Sequence, residues 1–234
     1  MNKKVIIVIF IFIIAVIAIA LNIKIENINI VGNTWYTSEQ LEAEIFDGAW
    51  AKNSLYCFVH TLIEQKKDIP FVEDYNISFT DPSSVTITVY EKSIVGYVSY
   101  MSSYMYFDKD GIVVESASTK LNGIPLVTGL KFGNIGLHEK LPVEDDRIFD
   151  SILNLTQALS LYDVSVDQIF YNSSGNARLI IGDINVELGD SSNMSGKIST
   201  LSDMYEKIKD WSGTLYLDTF DPMDSDKEYT FQSK

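Results

Sequence analysis

The pattern of apolar and polar positions opens with an unbroken apolar run near the N-terminus. Residues 5–21, VIIVIFIFIIAVIAIAL, carry no charge and directly follow the basic pair Lys3 and Lys4. As a helix these residues extend about 26 Å, which is near the lower limit for crossing a bilayer. The run therefore predicts a single transmembrane helix over 5–21. Residues 1–4 are then a cytoplasmic tail, because basic residues favour the cytoplasmic side.

A cleaved signal peptide is the alternative interpretation of the same run. Residues Ala18–Ala20 have the small-x-small form of a cleavage site. Against cleavage after Ala20, the run is longer than the usual apolar region of a signal peptide and lacks Gly, Pro and Ser. With either interpretation, residues beyond about 22 are expected outside the cytoplasm.

Residues 23–92 alternate between strand and helix patterns. Isoleucines at 23, 25, 28 and 30 indicate a strand, and Gly32-Asn33 is a turn signal. Thr37 and Gln40 have the spacing of a capping box, which predicts that a helix begins there. YNISFT and VTITVYE predict a hairpin, so the segment is expected to be a compact α+β unit. A second helix is predicted over 55–67, with core-facing positions at Leu55, Phe58, Val59 and Leu62.

From residue 93 onward, short aromatic and β-branched segments predict a mixed, mainly antiparallel β domain with flanking helices. Apolar spacing predicts one helix over 145–162 and another from a Ser195 cap to about residue 211. GTLYLDTF, at 213–220, predicts the final strand. Residues 221–234 are predicted to be a flexible acidic tail.

Composition and charge narrow the possible partners. The 234 residues carry a net charge of −14 and include no dense block of Lys or Arg, which argues against nucleic acid as a partner. Cys57 is the single cysteine, so an internal disulfide is impossible. Its apolar neighbours predict a small buried side chain rather than a reactive thiol.

Motifs with catalytic or metal-binding chemistry are incomplete. GDSSNMSGKIST, at 189–200, has six residues between its glycines where a phosphate-binding loop has four, and Lys197 is not followed by Ser or Thr. The segment 108–111 lacks the distal ligands of a calcium loop. His60 and His138 lie far apart without neighbouring ligands. Carboxylates are plentiful, but no pair is singled out as catalytic. The sequence predicts a protein that is not an enzyme, with no catalytic residues, cofactor or metal.

Six short motifs follow one another along nearly the whole chain. They are INIVGN (28–33) with TSEQL (37–41), PFVEDYNI (70–77), VTITVYEK (85–92) with VGY (95–97), D-x-x-G (108–111), IPLVTG (124–129) and LYLD (215–218). Each motif is weak alone, but their order and spacing resemble the bacterial cell-division family FtsQ/DivIB. Lys92 and Ile94 depart from the Arg and Pro that are usual in that family.

The resemblance implies both an architecture and a role. It implies a POTRA domain (β-α-α-β-β) over 23–92 and an FtsQ/DivIB-type β domain over 93–220. It further implies a non-catalytic, membrane-anchored scaffold at the division septum, single-pass with a cytoplasmic N-terminus. Such scaffolds bind the small bitopic coiled-coil proteins FtsB/DivIC and FtsL, and link them to septal peptidoglycan synthesis.

A contact edge for such a partner is predicted at the last strand. An exposed strand can pair with a partner's strand through main-chain hydrogen bonds, with alternate side chains giving specificity. Trp211 and Tyr216 are candidate aromatic anchors, and burial in the core is an equal alternative for both. The predicted partner-binding residues are Trp211, Thr214, Leu215, Tyr216, Leu217, Asp218 and Thr219.

Two other functions stay open as alternatives. A POTRA-bearing export or assembly factor predicts tandem POTRA units in the same chain, which the sequence does not show. A secreted or anchored cell-wall-active enzyme predicts a mature N-terminus near Leu21 and a convergent carboxylate or histidine site.

Overall fold

The computed structural model describes residues 3–63, 66–224 and 228–234, and within these ranges the protein is α+β, with five helices and twelve strands. The helices are α1 (Lys3–Ala20), α2 (Ser38–Ile45), α3 (Ser54–Leu62), α4 (Asp146–Leu161) and α5 (Met194–Ile208). The strands are β1 (Asn27–Val31), β2 (Val72–Asp81), β3 (Ser84–Glu91), β4 (Gly96–Tyr100), β5 (Ser103–Phe107), β6 (Val113–Ala117), β7 (Leu126–Thr128), β8 (Gln168–Tyr171), β9 (Ala177–Ile181), β10 (Ile184–Gly189), β11 (Gly213–Tyr216) and β12 (Phe231–Ser233).

The chain divides into two compact units, Met1–Lys92 and Ser93–Lys234. Each unit has its own cluster of buried apolar side chains. Parts of the predicted cytoplasmic tail at 1–4, the predicted second helix at 55–67 and the predicted acidic tail at 221–234 lie outside the described residues.

Helix α1 differs from the predicted membrane segment. It contains 18 residues and includes both Lys3 and Lys4. The 16 residues that follow the two lysines extend about 24 Å, against about 30 Å for the hydrocarbon core of a bilayer. Among the residues that the structure describes, no helix combines the length and the apolar character needed to cross a membrane. The prediction of a transmembrane helix over 5–21 is therefore wrong.

The unit Met1–Lys92 is built on a three-stranded sheet with the order β1-β3-β2. β1 runs parallel to β3, and β2 and β3 form the predicted antiparallel hairpin. Cys57 is buried, which confirms the prediction for this side chain. The core of the unit draws on the sheet and on α2 and α3, and comprises Ile25, Leu41, Phe46, Cys57, Ile69, Val72, Tyr75, Val85, Ile87 and Val89.

The turn after β1 and the start of α2 follow their sequence signals. Gly32 has a φ of +87°, and a β-carbon there would lie 2.4 Å from the carbonyl oxygen of Val89, so the position requires glycine. The Thr37 hydroxyl accepts a hydrogen bond from the backbone N–H of Gln40, and the Gln40 side chain accepts one from the N–H of Thr37. The predicted capping box is confirmed.

Helix α3 is shorter than the helix predicted over 55–67. Asn53 begins it, because its side-chain oxygen accepts from the backbone N–H of Tyr56, and the helix ends at Leu62. The same Asn53 side chain donates to the carbonyl oxygen of Leu21 at 2.7 Å, which ties the start of α3 to the segment after α1.

The buried face of α3 also differs from the prediction. Ser54 and Cys57 are its buried residues. By helical spacing the large apolar residues of α3 do share one face, but that face is the exposed one. The opposite face is buried, and its small Ser54 and Cys57 permit a close approach to the core. The predicted core positions that are instead exposed are Phe58, Val59 and Leu62.

The unit Ser93–Lys234 contains a nine-stranded mixed sheet with the order β12-β11-β10-β9-β8-β7-β4-β5-β6. The pairs β4–β7, β7–β8 and β10–β11 are parallel, and the other neighbours are antiparallel. Parallel neighbours need a crossover, and α4 and α5 provide it between β7 and β8 and between β10 and β11. The sheet core is therefore covered by helices whose buried residues include Ile152, Leu155, Leu159, Ile198 and Leu201.

The start of α5 corrects a predicted cap. Asn193 precedes the helix in a left-handed conformation and makes no side-chain capping bond. Ser195, the predicted cap, lies inside the first turn, where its hydroxyl is 3.2 Å from that of Tyr162, the residue that follows α4. The sequence signal was ambiguous because Ser and Asn both favour this position.

The C-terminal segment is more ordered than the predicted flexible tail at 221–234. Phe231–Ser233 forms β12, which pairs antiparallel with β11. Tyr229 and Phe231 pack against the core of the same unit. The acidic composition of the segment favours a solvated tail, but two aromatic residues at alternate positions give it an apolar face.

Candidate interaction edge

β11, the strand predicted to form a free edge, has a neighbour on each side. β10 pairs with it in parallel, with Leu215 opposite Val186. β12 pairs with it antiparallel, with Leu215 opposite Phe231. The expectation that the strand predicted at 213–220 is exposed along its edge is therefore wrong, because the chain itself covers that edge.

The backbone of β11 divides its hydrogen bonds between the two neighbours. Leu217, just after β11, donates its N–H to the carbonyl oxygen of Glu187 on the β10 side at 2.9 Å. Tyr216 donates its N–H to the carbonyl oxygen of Thr230 on the β12 side at 2.9 Å. Successive N–H groups in a strand point in opposite directions. The N–H groups of the even-numbered residues of β11 therefore point toward the C-terminal segment.

Two aromatic contacts hold the C-terminal segment beside β11. Trp211, which precedes β11, meets the Phe231 ring edge-on with 4.9 Å between centroids. Phe220, which follows β11, stacks nearly parallel to Tyr229 with 6.5 Å between centroids. Ring pairs at such separations add a modest stabilisation beyond burial. The aromatic residues before and after β11 are thus each in contact with an aromatic side chain of the C-terminal segment.

The predicted contact residues fall into three groups. Leu215 and Leu217 are fully buried in the core, so their side chains serve packing. Thr214 and Tyr216 are half-buried on the opposite face, where the Tyr216 hydroxyl lies 3.2 Å from the side-chain oxygen of Gln232. The groups that remain accessible to a partner's side chains are Trp211, half of whose surface is exposed, and the exposed Asp218 and Thr219.

A buried lysine lies close to this edge. The Lys197 ammonium on α5 donates to the carbonyl oxygen of Asp190 at 2.9 Å and lies 3.5 Å from its carboxylate. Burial lowers the pKa of Lys197, and the negative charges of Asp190 and Asp218 oppose that shift. The hydrogen bonds and neighbouring carboxylates give Lys197 a structural role in holding the loop after β10.

The Asp190 carboxylate is fixed mainly by Ser192. The side chain and the backbone N–H of Ser192 both bond to it, and these contacts lower the pKa of Asp190, with a smaller contribution from Lys197. The near-match to a phosphate-binding loop at 189–200 is therefore a turn whose polar groups bond to one another, followed by the first residues of α5.

The remaining residues that the sequence singled out lie on other elements of the chain. His60 packs against Tyr56 with 4.3 Å between ring centroids and a tilt of 39° between the rings, in a groove of about 520 Å³ in the unit Met1–Lys92. Asp108 accepts hydrogen bonds from the backbone N–H groups of Asp110 and Ile112, as a turn residue does. Within 3–63, 66–224 and 228–234, no three His, Cys, Asp or Glu side chains form a group that could hold a metal ion.

Sequence reasoning missed Tyr229 and Phe231 as parts of this edge. The available signal was the alternation in Tyr229-Thr230-Phe231-Gln232, which is short but has the period of a strand. A run this brief forms a strand only if a partner edge is at hand, and local pattern alone does not reveal that edge.

No protein-family model matches this chain, and a search of curated proteins gave no significant match either.

Proposed function

We propose that the chain is a non-catalytic scaffold of the bacterial division machinery. In this role it binds FtsB/DivIC-like and FtsL-like proteins at the division septum and links them to septal peptidoglycan synthesis. The observation that supports the proposal most is the order of elements in the two units along the chain. A β-α-α-β-β unit with the sheet order β1-β3-β2 precedes a mixed β unit that ends in β11 and β12. The resemblance to FtsQ/DivIB implies a β-α-α-β-β unit followed by a β unit, and β12 is an addition to that pattern.

The binding mode in this proposal is strand addition at the β11 end of the large sheet. Main-chain hydrogen bonds supply affinity in such contacts, and alternate side chains supply specificity. Trp211, half of whose surface is exposed, precedes β11 and offers the aromatic surface that interface anchors commonly use, and the half-buried Tyr216 ends this strand. A bitopic coiled-coil protein with an extended segment beyond its helix is a partner of the right form.

Depletion of the protein in its native cells tests the proposal. We expect depleted cells to elongate without completing septa, and to recover when the wild-type chain is supplied again. The alternative of a wall-active enzyme predicts altered peptidoglycan composition in cells that still place their septa. Depleted cells that divide at normal length with normal septa would refute the scaffold role.

A further inference from the structure

The C-terminal strand is short and largely exposed. β12 has three residues, and Gln232 and Ser233 are exposed. On the opposite side of β11, the parallel pairing with β10 and the buried Leu215 and Leu217 belong to the sheet core. Short, solvent-exposed elements open far more often than core strands. Loss of β12 would leave these other contacts of β11 intact.

The edge beneath β12 has a defined shape. A β-carbon at Gly213 would lie 2.2 Å from the carbonyl oxygen of Gln232, so glycine allows the covering main chain to approach closely. Trp211 receives Phe231 at one end, and Phe220 receives Tyr229 at the other. Because Tyr229 and Phe231 are two residues apart, they project to the same face of an extended segment.

We propose that the β11 edge is a binding site for extended segments that carry two aromatic residues at alternate positions, and that residues 228–234 are its built-in occupant. A partner's strand must displace this segment before it can pair with β11. The C-terminal segment thus inhibits binding in cis and sets the sequence preference of the edge. The identity of the partner as a division protein rests on the proposed function, whereas the strand site does not.

The short connection between β11 and residues 228–234 favours the built-in segment over a partner's strand. Eleven residues, 218–228, separate the end of the β11 ladder at Leu217 from Tyr229. A short linker holds its segment at an effective concentration of about millimolar. If the open state is populated at about 10% or less, the apparent affinity for an added strand falls at least about tenfold.

The first test uses the chain's own segment as the probe. A synthetic peptide of residues 228–234, EYTFQSK, is titrated against the full chain and against a chain lacking those residues. Fluorescence anisotropy of the labelled peptide reports binding to either chain, because Trp211 has the same neighbour whether Phe231 belongs to the chain or to the peptide. We expect the shortened chain to bind at least about tenfold more tightly. Equal affinities, or no binding to a shortened chain that keeps its circular dichroism spectrum, would overturn the proposal.

Single substitutions in the full chain provide matched variants. Phe231→Ala removes the contact with Trp211, and we expect it to tighten binding of the added peptide. Met223→Ala changes a residue of the connection 218–228 that is 93% exposed, and it should leave the affinity unchanged. An equal effect of both substitutions would contradict the assigned role of Phe231.

Hydrogen exchange in the unmodified chain gives a test that needs no variant. The Tyr216 N–H faces the C-terminal segment, whereas the Leu217 N–H faces β10. Opening of β12 exposes the first amide and leaves the second protected. We expect Tyr216 to exchange at least about tenfold faster than Leu217. Equal protection of the two amides would show that β12 opens only with the sheet.

The outcomes separate this inference from the proposed function. If the peptide binds the shortened chain and division proteins do not, the strand site stands and the divisome role fails. If division proteins bind the full and shortened chains equally, the divisome role stands and the built-in occupant fails. A dimer that forms by exchange of residues 228–234 between two copies would overturn the assignment of this segment to its own chain.

Discussion

At Gly32 the backbone conformation and the close approach of Val89 act together. The φ of +87° disfavours side chains, and a β-carbon would lie 2.4 Å from a carbonyl oxygen of β3. We expect Gly32→Ala to lower the free energy of unfolding of the unit Met1–Lys92 by about 2 kcal/mol or more, since strain and steric overlap add. Urea unfolding followed by circular dichroism measures the change.

Gly48 provides the matched control for this substitution. Its φ is +126°, but no heavy atom lies within 4 Å of the position that a β-carbon would take. Gly48→Ala therefore carries backbone strain without overlap, and we expect a smaller loss of stability than for Gly32→Ala. An equal loss for the two variants would show that the approach of Val89 contributes nothing.

Because Tyr171 is buried, we expect the unit Ser93–Lys234 to lose stability at alkaline pH. Its side chain is buried, with the hydroxyl 3.3 Å from that of Ser151, and burial raises its pKa above the ordinary value near 10. Above pH 10 the unfolded chain releases this proton and the folded chain retains it. Stability therefore falls with rising pH, by up to about 1.4 kcal/mol per pH unit from this group.

Tyr171→Phe removes this contribution. The variant should lose less stability than the wild type between pH 10 and pH 11, in urea unfolding curves referred to each protein's own value at pH 7. Parallel losses in the two proteins would mean that Tyr171 does not control the alkaline limit.

At the scale of elements, the sequence predicted those parts whose signals are local. The capping box at Thr37 and the apolar face of α4 at Ile152, Leu155 and Leu159 depend on neighbouring residues, and both are present. The face of α3 was mispredicted because its large apolar residues lie on the exposed side, opposite the buried Ser54 and Cys57. Its orientation is a property of the packed unit, and periodicity carries no information about it.

At the candidate edge, the local sequence pattern predicted one strand and not its neighbour. The sequence located β11, and the structure added β12 on its outer side. The pairing joins residues on either side of a polar segment, and three residues at alternate spacing are too few to predict a strand. Only their contacts with Phe220 and Trp211 in the structure identify Tyr229 and Phe231 as edge residues.

Tyr216→Lys tests β11 as a contact element. Tyr216 is half-buried and outside the fully buried core, so the variant should keep its thermal melting curve. We expect capture of FtsB/DivIC-like partners to fall about tenfold, because an aromatic anchor is lost. Leu215→Lys is the contrasting variant, since Leu215 is fully buried and a charge there should abolish folding. Loss of folding in Tyr216→Lys would instead assign Tyr216 to the core.

At the scale of the whole molecule, two separate cores predict two unfolding transitions. Ile87 is fully buried in the unit Met1–Lys92, and Leu179 is fully buried in the unit Ser93–Lys234. Ile87→Ala and Leu179→Ala should each cost about 2–5 kcal/mol in their own unit. Scanning calorimetry should show one transition lowered by each variant. A single transition lowered by both would contradict independent units.

The α+β class of the molecule followed from strand and helix periods, whereas the transmembrane prediction for 5–21 did not hold. Uncharged length alone suggested a membrane span, and the helix found there includes two lysines among its 18 residues. An apolar run near the minimum length for a membrane span is thus a weak predictor of such a span. Apolar periodicity is a stronger predictor of helices and strands within a folded unit.

The most direct measurement of the proposed role is photocrosslinking from the candidate edge in dividing cells. A photoreactive amino acid replaces Trp211 beside β11, and in a control strain it replaces Trp50, which is also exposed but lies in the other unit. We expect crosslinks to an FtsB/DivIC-like or FtsL-like protein from position 211 and none from position 50. Dividing cells in which neither protein is crosslinked from position 211, or in which both positions crosslink equally, would contradict the scaffold role at this edge.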